Sequence, residues 1–250
     1  MTADRPPRSE SSFLTTRWSV VQRASGAASE VRQAALEDLA RTYWYPLYAF
    51  ARRRGLAPDV AADRVQACFA LLLERDDFAR ADPARGRFRA FLLTAFRHVL
   101  IDSRERERAQ KRGGDRAALS IDALAAEGRL LAHPVDADTP EAAFERAWVA
   151  ELLARSLARL GEEQARIGRM ELFAKLRPHL SGEDDGPRFA SIAGELGLTE
   201  NAVKVAAHRL RKRYGELLRD EVAATLGDPN DAAAIEDEVR ALFRTFERRV

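Results

Sequence analysis

Apolar residues recur along most of the chain at steps of three and four, the spacing that gathers side chains on one side of an α-helix. Over residues 31–54 the stripe is Leu36, Leu39, Tyr43, Leu47 and Phe50, and Pro46 is placed to kink that helix or split it in two. Gly55 ends the element, and Pro58 suits the first turn of the next, over about 59–74. There the apolar side is Val65, Phe69, Leu72 and Leu73, while Asp59, Asp63 and Gln66 share a polar face. That face is either solvated or a contact for a partner. Proline and glycine make 77–86 a loop. A long helix over about 87–110 follows. Phe88, Phe91, Leu92, Ala95, Val99 and Asp102 lie on its core side, and Arg89, Arg97, Arg104, Arg108 and Lys111 occupy the remainder.

Residues 113–139 interrupt the pattern with glycines, His133-Pro134 and a run of aspartates, which predicts a linker with one helical turn near 121–124. Thr139 then suits an N-cap and Pro140 the first helical position. Phe144, Trp148, Leu152, Leu153, Leu157 and Leu160 mark an amphipathic helix, and a second is expected over 162–176 with Ile167, Met170, Phe173, Ala174 and Leu176. Pro178 and residues 181–187 break it. A final helix in the tail carries Ile235, Val239, Leu242, Phe243 and Phe246.

Between the break and the tail, residues 188–218 have the pattern of a helix-turn-helix. Ile192, Ala193 and Leu196 share one side of a short helix, Gly197 supplies the turn, Leu198 is expected to point into the core, and Thr199 caps the next helix. Val203, Ala207, Leu210, Tyr214 and Leu217 share its inner face; Asn201, Lys204, His208, Arg211 and Lys212 lie on the other. Such a helix can enter a major groove. A helical hairpin with a solvated basic face is the alternative on this stretch alone.

Charge changes the picture more than composition does. The formal net charge is only +2, yet basic and acidic residues are segregated. Residues 85–112 hold nine Lys/Arg against three Asp/Glu, and 204–219 hold six against one. Residues 113–141 have two against six, and 220–250 four against eight. Two basic islands point to two contacts with a polyanion. In the first island, cations beside aromatic rings suit melted nucleic acid, the cations tracking phosphates and the rings accepting a base. Glu105 and Glu107, interleaved there, also permit a helix held by its own ion pairs.

The single cysteine, Cys68, sits among apolar residues and is expected to pack in the core, which leaves no internal disulfide and no structural zinc site. The first twelve residues are polar and carry no apolar core, so a secretory leader is not expected, and no apolar run approaches a membrane span. A cytoplasmic protein follows. Trp18, in the aromatic-bearing stretch 13–21, either packs a short helix onto the next domain or meets a partner. The four histidines are scattered without ligand spacing, and no phosphate loop, nucleophile motif or carboxylate cluster stands out, so neither an enzyme nor a cofactor is expected.

In this order the pieces resemble a bacterial RNA polymerase sigma factor of the sigma-70 family, extracytoplasmic-function (ECF) group. The stretch PDVAADRVQACFALLLE is similar to the family's region 2 helix that binds the polymerase β′ subunit, which implies a core-polymerase contact at Asp59, Asp63, Gln66 and Phe69. The stretch DPARGRFRAFLLTAFRHVLIDSRERERAQKR resembles the loop and helix that open and hold the −10 element. The residues implied are Arg85, Arg87, Phe88, Arg89, Phe91, Arg97, His98, Arg104, Arg108, Lys111 and Arg112, with His98 where an asparagine is usual. TENAVKVAAHRLRKRY resembles the helix that reads the −35 element, which implies Thr199, Glu200, Asn201, Lys204, His208, Arg209, Arg211 and Lys212; Asn201 and Ala206 depart from the family pattern. The TTRWSVV lead and the YWYPLY cluster resemble the planctomycete subgroup of these factors.

The resemblance implies an all-α fold with two small helical domains joined by a linker. The expected parts are a lead over 1–30, a region 2-like domain over 31–112, an acidic linker over 113–139, a region 4-like domain over 140–221 and an acidic helical tail over 222–250. The implied partners are core RNA polymerase through its β′ and β subunits, promoter DNA, and a regulator that is either an anti-sigma factor or a protein kinase. A stand-alone helix-turn-helix regulator, acting on duplex DNA without polymerase, is the competing expectation.

Overall fold

Most of the elements follow from the apolar stripes. The computed structural model describes residues 29–74, 87–109, 121–132, 139–181, 187–226 and 228–247, and among these it has ten helices and no strands. In order they are α1 (Ser29–Arg53), α2 (Pro58–Glu74), α3 (Phe88–Ala109), α4 (Ile121–Ala132), α5 (Pro140–Arg166), α6 (Met170–Leu176), α7 (Pro178–Ser181), α8 (Phe189–Leu196), α9 (Glu200–Ala223) and α10 (Ala232–Glu247). The all-α expectation holds. The lead with Trp18 and the loop 77–86 lie outside the described residues. No described helix is long and apolar enough to cross a membrane.

The front core joins α1, α2 and α3 through buried aromatics. Tyr43 meets Phe88 edge-on at 5.4 Å between ring centres, and Phe50 meets Phe96 at 6.1 Å. Such edge-to-face pairs add about 1 kcal/mol each to the gain from area removed from water. Cys68 packs here, and burial pushes its thiol up to about 12. Helix α1 runs unbroken through Pro46, so of the two expectations, a kink or a split, the split does not occur. Pro46 is itself buried, so the segment stays helical within the packed core despite the missing N–H.

Helix α5 begins as its sequence predicts. The Thr139 hydroxyl accepts from the Ala142 N–H at 3.1 Å, and Pro140 takes the first helical position. Its first half does not belong to the helix-turn-helix unit, however. Phe144, Trp148, Val149 and Leu152 enter the front core, and only further along do Leu157 and Leu160 pack with Phe173, Leu176, Ile192, Ala193, Val203, Ala207 and Leu210. Periodicity showed that this face is buried but carried no information about what buries it.

A second difference concerns the end of α5. A helix break was expected near Gly161, but α5 passes through it and ends at Arg166, two residues before Gly168, whose φ of 69° suits glycine. Gly161 serves close packing instead. A Cβ there would lie 3.1 Å from the Phe173 ring, so glycine lets α6 approach the helix.

The third difference is the linker. Its middle is the three-turn helix α4, longer than the single turn expected, and it docks on the front bundle. Ala126 is buried in the front core, and Glu127 accepts from the Tyr48 hydroxyl at 2.6 Å and from Arg52 Nε and Nη2 at 2.9 and 2.7 Å. Arg129 lies over the Tyr45 ring at 3.8 Å and pairs with Glu151 at 2.5 Å. The Arg52 hydrogen bonds, helped by the one from Tyr48, hold the Glu127 carboxyl below the usual carboxylate range against the opposing pull of burial.

Replacing Glu127 by Gln (Glu127→Gln) is therefore expected to lower the unfolding free energy by about 2 kcal/mol at neutral pH, because it removes charge-assisted bonds from a mostly buried site. The sign with pH follows from the lowered folded-state value. The contribution is complete above the ordinary carboxylate range and fades as pH falls through the folded pKa. Denaturant titrations at neutral and at acid pH check it: the wild-type advantage should shrink in acid, and an unchanged gap would show that ionised Glu127 is not its source.

Candidate nucleic-acid interface

The helix-turn-helix is built as its residue types require. The Gly197 backbone is left-handed, with φ 64° and ψ 29°, and the Leu198 N–H returns to the Ala193 carbonyl at 2.9 Å. A Cβ at Gly197 would meet nothing within 4 Å, so backbone conformation rather than space calls for glycine. Thr199 accepts from the Ala202 N–H at 3.2 Å, and α9 starts at the next residue. This use occupies the Thr199 hydroxyl as a cap. Leu198 differs from expectation: it is 42% exposed and does not enter the core.

On α9, Val203, Ala207 and Leu210 are buried against α5, α6 and α8. The opposite face carries Glu200, Asn201, Lys204, His208, Arg209, Arg211 and Lys212, all exposed. Lys204 reaches Glu200 one turn back at 2.6 Å, a solvated pair of small worth. Arg211 Nε donates to the His179 carbonyl at 3.4 Å. Arg213 has another use: it clasps Glu163 of α5 at 2.7 and 2.9 Å and Glu216 at 3.0 Å, which braces α9. Its hydrogen bonds hold the Glu163 carboxyl below the ordinary range. Arg213 is thus a strut, while its neighbours face outward.

One exposed residue of this face escaped the sequence reading. Val205 lies one turn on from Asn201 and three residues before His208, in the middle of the polar face, and is 41% exposed. The signal was present, since Val205 falls off the stripe of Val203, Ala207 and Leu210. It also lines a groove of about 600 Å³ with Leu172, Leu196, Leu198 and Ile167. Exposed apolar residues gathered in this way mark a contact surface.

The residues expected at the −10 element are sorted by the fold. Phe88 is buried against Tyr43 and is a core residue, not a platform for a base. Phe91 packs partly on the same core. Arg89 is buried: its guanidinium lies 4.1 Å over the Trp148 ring, bonds Glu145 at 3.1 and 3.2 Å and meets Glu238 of α10 at 2.5 Å. Arg87 is half-exposed and meets the same Glu238 at 2.5 Å. Arg97 pairs with Glu141 at 2.7 Å, and His98 is exposed. Arg104 and Arg108 fall on the last turns of α3; Arg85, Lys111 and Arg112 lie outside the described residues. Asp102, expected on the core side, is exposed.

On α2, Asp63 and Gln66 are exposed and Asp59 partly so, which leaves a polar face available to a protein partner. Phe69 is not part of it. Its ring belongs to the front core, because it lies on the stripe with Val65 and Leu72. The acidic tail, whose position the sequence left undetermined, packs as α10 on the front core through Val239 and Leu242.

The family model described as ECF sigma factor matches residues 21–183, well over half of the chain. The match takes in α1 to α7 and stops short of the helix-turn-helix. No curated protein and no solved structure matches the chain. With an all-α fold, a polar face on α2 and a cationic α3 inside the matched stretch, the chain belongs to the ECF sigma factor family.

Proposed function

We propose that this sigma factor recruits core RNA polymerase through α2 and grips one promoter at two places, −35 duplex with α9 and melted −10 DNA with α3. Family membership carries the general role of directing polymerase to promoters. The finer assignment rests on one observation above others: the outer face of α9 is lined by exposed polar and cationic side chains on a well-formed helix-turn-helix. A helix so mounted presents its N-terminal half to base edges in the major groove. Asn201, Lys204 and His208 would meet bases, while Arg209, Arg211 and Lys212 hold phosphates and set register. Val205 supplies the apolar contact that a thymine methyl takes.

In the −10 assignment, Arg87, with Arg104, Arg108 and the basic run after them, lines the path of an open strand. Flipping a base costs a few kcal/mol, so pairing of the backbone has to offset it. Asp59, Asp63 and Gln66 form the face offered to β′, and the apolar groove beside Val205 is a second protein-binding surface, assigned to β. The resemblance of the TTRWSVV lead and the YWYPLY cluster supports a planctomycete-like subgroup, with an anti-sigma factor or a kinase as the regulator. Its site of action is the cytoplasm.

Purified protein added to core polymerase should initiate from promoters of its own genome; failure to bind core and to initiate would refute the assignment, and tight duplex binding without core would favour a stand-alone regulator. Lys204→Ala combined with Arg211→Ala should abolish promoter use and leave core binding intact, as read by transcription and by a core pull-down. Val205→Ala should leave overall transcription within a few-fold but relax discrimination by about 1 kcal/mol at one −35 base pair. A promoter library scored with both proteins checks it, and an unaltered preference at every position would remove Val205 from the reading face.

A further inference from the structure

The Glu238 carboxylate is the one fully buried acid among the described residues, and both its oxygens face arginines expected at the −10 strand. Oε2 lies 2.5 Å from Arg87 Nη2 and Oε1 2.5 Å from Arg89 Nη1. The one carboxylate thus neutralises both guanidiniums. Arg89 has Glu145 as its second anion and the Trp148 ring beneath it. Two cations and two anions therefore balance. With α10 removed, Arg87 and Arg89 would lose Glu238 together, leaving Glu145 as the acid paired with Arg89. Two adjacent guanidiniums with one acid beside them favour a second anion there.

The rest of the α10 contact is modest. Val239 and Leu242 are buried and Ile235 partly so, but Phe243 is 53% exposed. The Arg219–Glu236 pair at the rim is solvent-exposed and contributes little. The helix hangs from α9 by a short connector after Ala223, which keeps it close to its seat if it leaves.

We propose that Glu238 is an internal stand-in for a nucleic-acid phosphate. Helix α10 occupies the Arg87–Arg89 site in the free protein, and a phosphodiester of the open −10 strand displaces it, so the tail gates engagement of melted DNA. This rests on the −10 assignment of α3 and goes beyond it by naming the competitor. Carboxylate and phosphate are alternative anions for one pair of guanidiniums.

The test uses the full chain and a short mixed-sequence single-stranded oligodeoxynucleotide as probe. Glu238→Gln keeps the shape of the side chain and removes its charge. It should tighten oligodeoxynucleotide binding about tenfold, the worth of one charge-assisted contact, and the gain should vanish when Arg87→Ala is added. In the wild type, saturating oligodeoxynucleotide should speed amide exchange across α10, a readout that needs no variant. Equal affinity of wild type and Glu238→Gln, or α10 protection unchanged at saturation, overturns the gate. Promoter-directed transcription by the wild type is measured alongside. If it proceeds while the gate's readouts stay flat, the gate alone fails. If core binding and transcription are absent, the sigma assignment fails, and tighter binding by Glu238→Gln still supports the gate on a single-stranded polyanion.

Discussion

Everything in this fold hangs on the sharing of α5 between two apolar clusters. Phe144, Trp148 and Leu152 fill the centre of the front bundle, and Leu160 packs two turns later in the core beneath the helix-turn-helix. A buried aromatic of this size is worth roughly 2–3 kcal/mol in area removed from water alone. The front end of α5 is therefore as firmly seated as the helices that the sequence pattern grouped with α3. Gly161 completes the arrangement from the other side by letting the Phe173 ring lie against the backbone.

The second organising effect is the sorting of arginines. Heavy arginine use gives two basic islands, but the fold spends part of each on internal braces. Arg89 and Arg213 are tied to Glu145, Glu238 and Glu163, and Arg155 and Arg159 meet the buried Glu221 near the end of α9. Two of those acids, Glu221 and Glu238, come from the acidic stretch 220–250, and Glu145 and Glu163 from α5. What remains outward on α9 is a coherent face of cationic and amide side chains. Segregated charge in the sequence thus serves two purposes, and only the three-dimensional pairing tells them apart.

The sequence showed local structure and missed partnership. The Thr139–Pro140 start, the Gly197 turn and the Thr199 cap were legible, because each depends on chemistry within a few residues. The inner and outer faces of α9 were legible for the same reason. Hidden were the docking of α4 through Glu127, the burial of Arg89 and the seat of α10. Each is a contact between residues far apart in the chain, and an amphipathic stripe declares a buried face without naming its cover. Phe69 and Phe88 illustrate the other failure. A motif resemblance assigns a residue to a contact by position, whereas their own spacing with Val65 and Leu92 already put them on the core side.

Leu217 and Leu218 show how closely the two halves are coupled. Neighbouring residues on a helix point about 100° apart, and here that angle separates two cores: Leu217 belongs to the one under the helix-turn-helix and Leu218 to the front bundle. Helix α9 is therefore a reading surface at its start and a rivet at its end. Rotating it about its own axis to suit a different groove angle would pull one leucine or the other from its seat. Val222 and the ion pairs of Glu221 add to the same end, and α10 closes over it. A change in how the front bundle holds its tail thus bears directly on the helix that presents Asn201, Val205 and His208, because no flexible joint lies between them within α9.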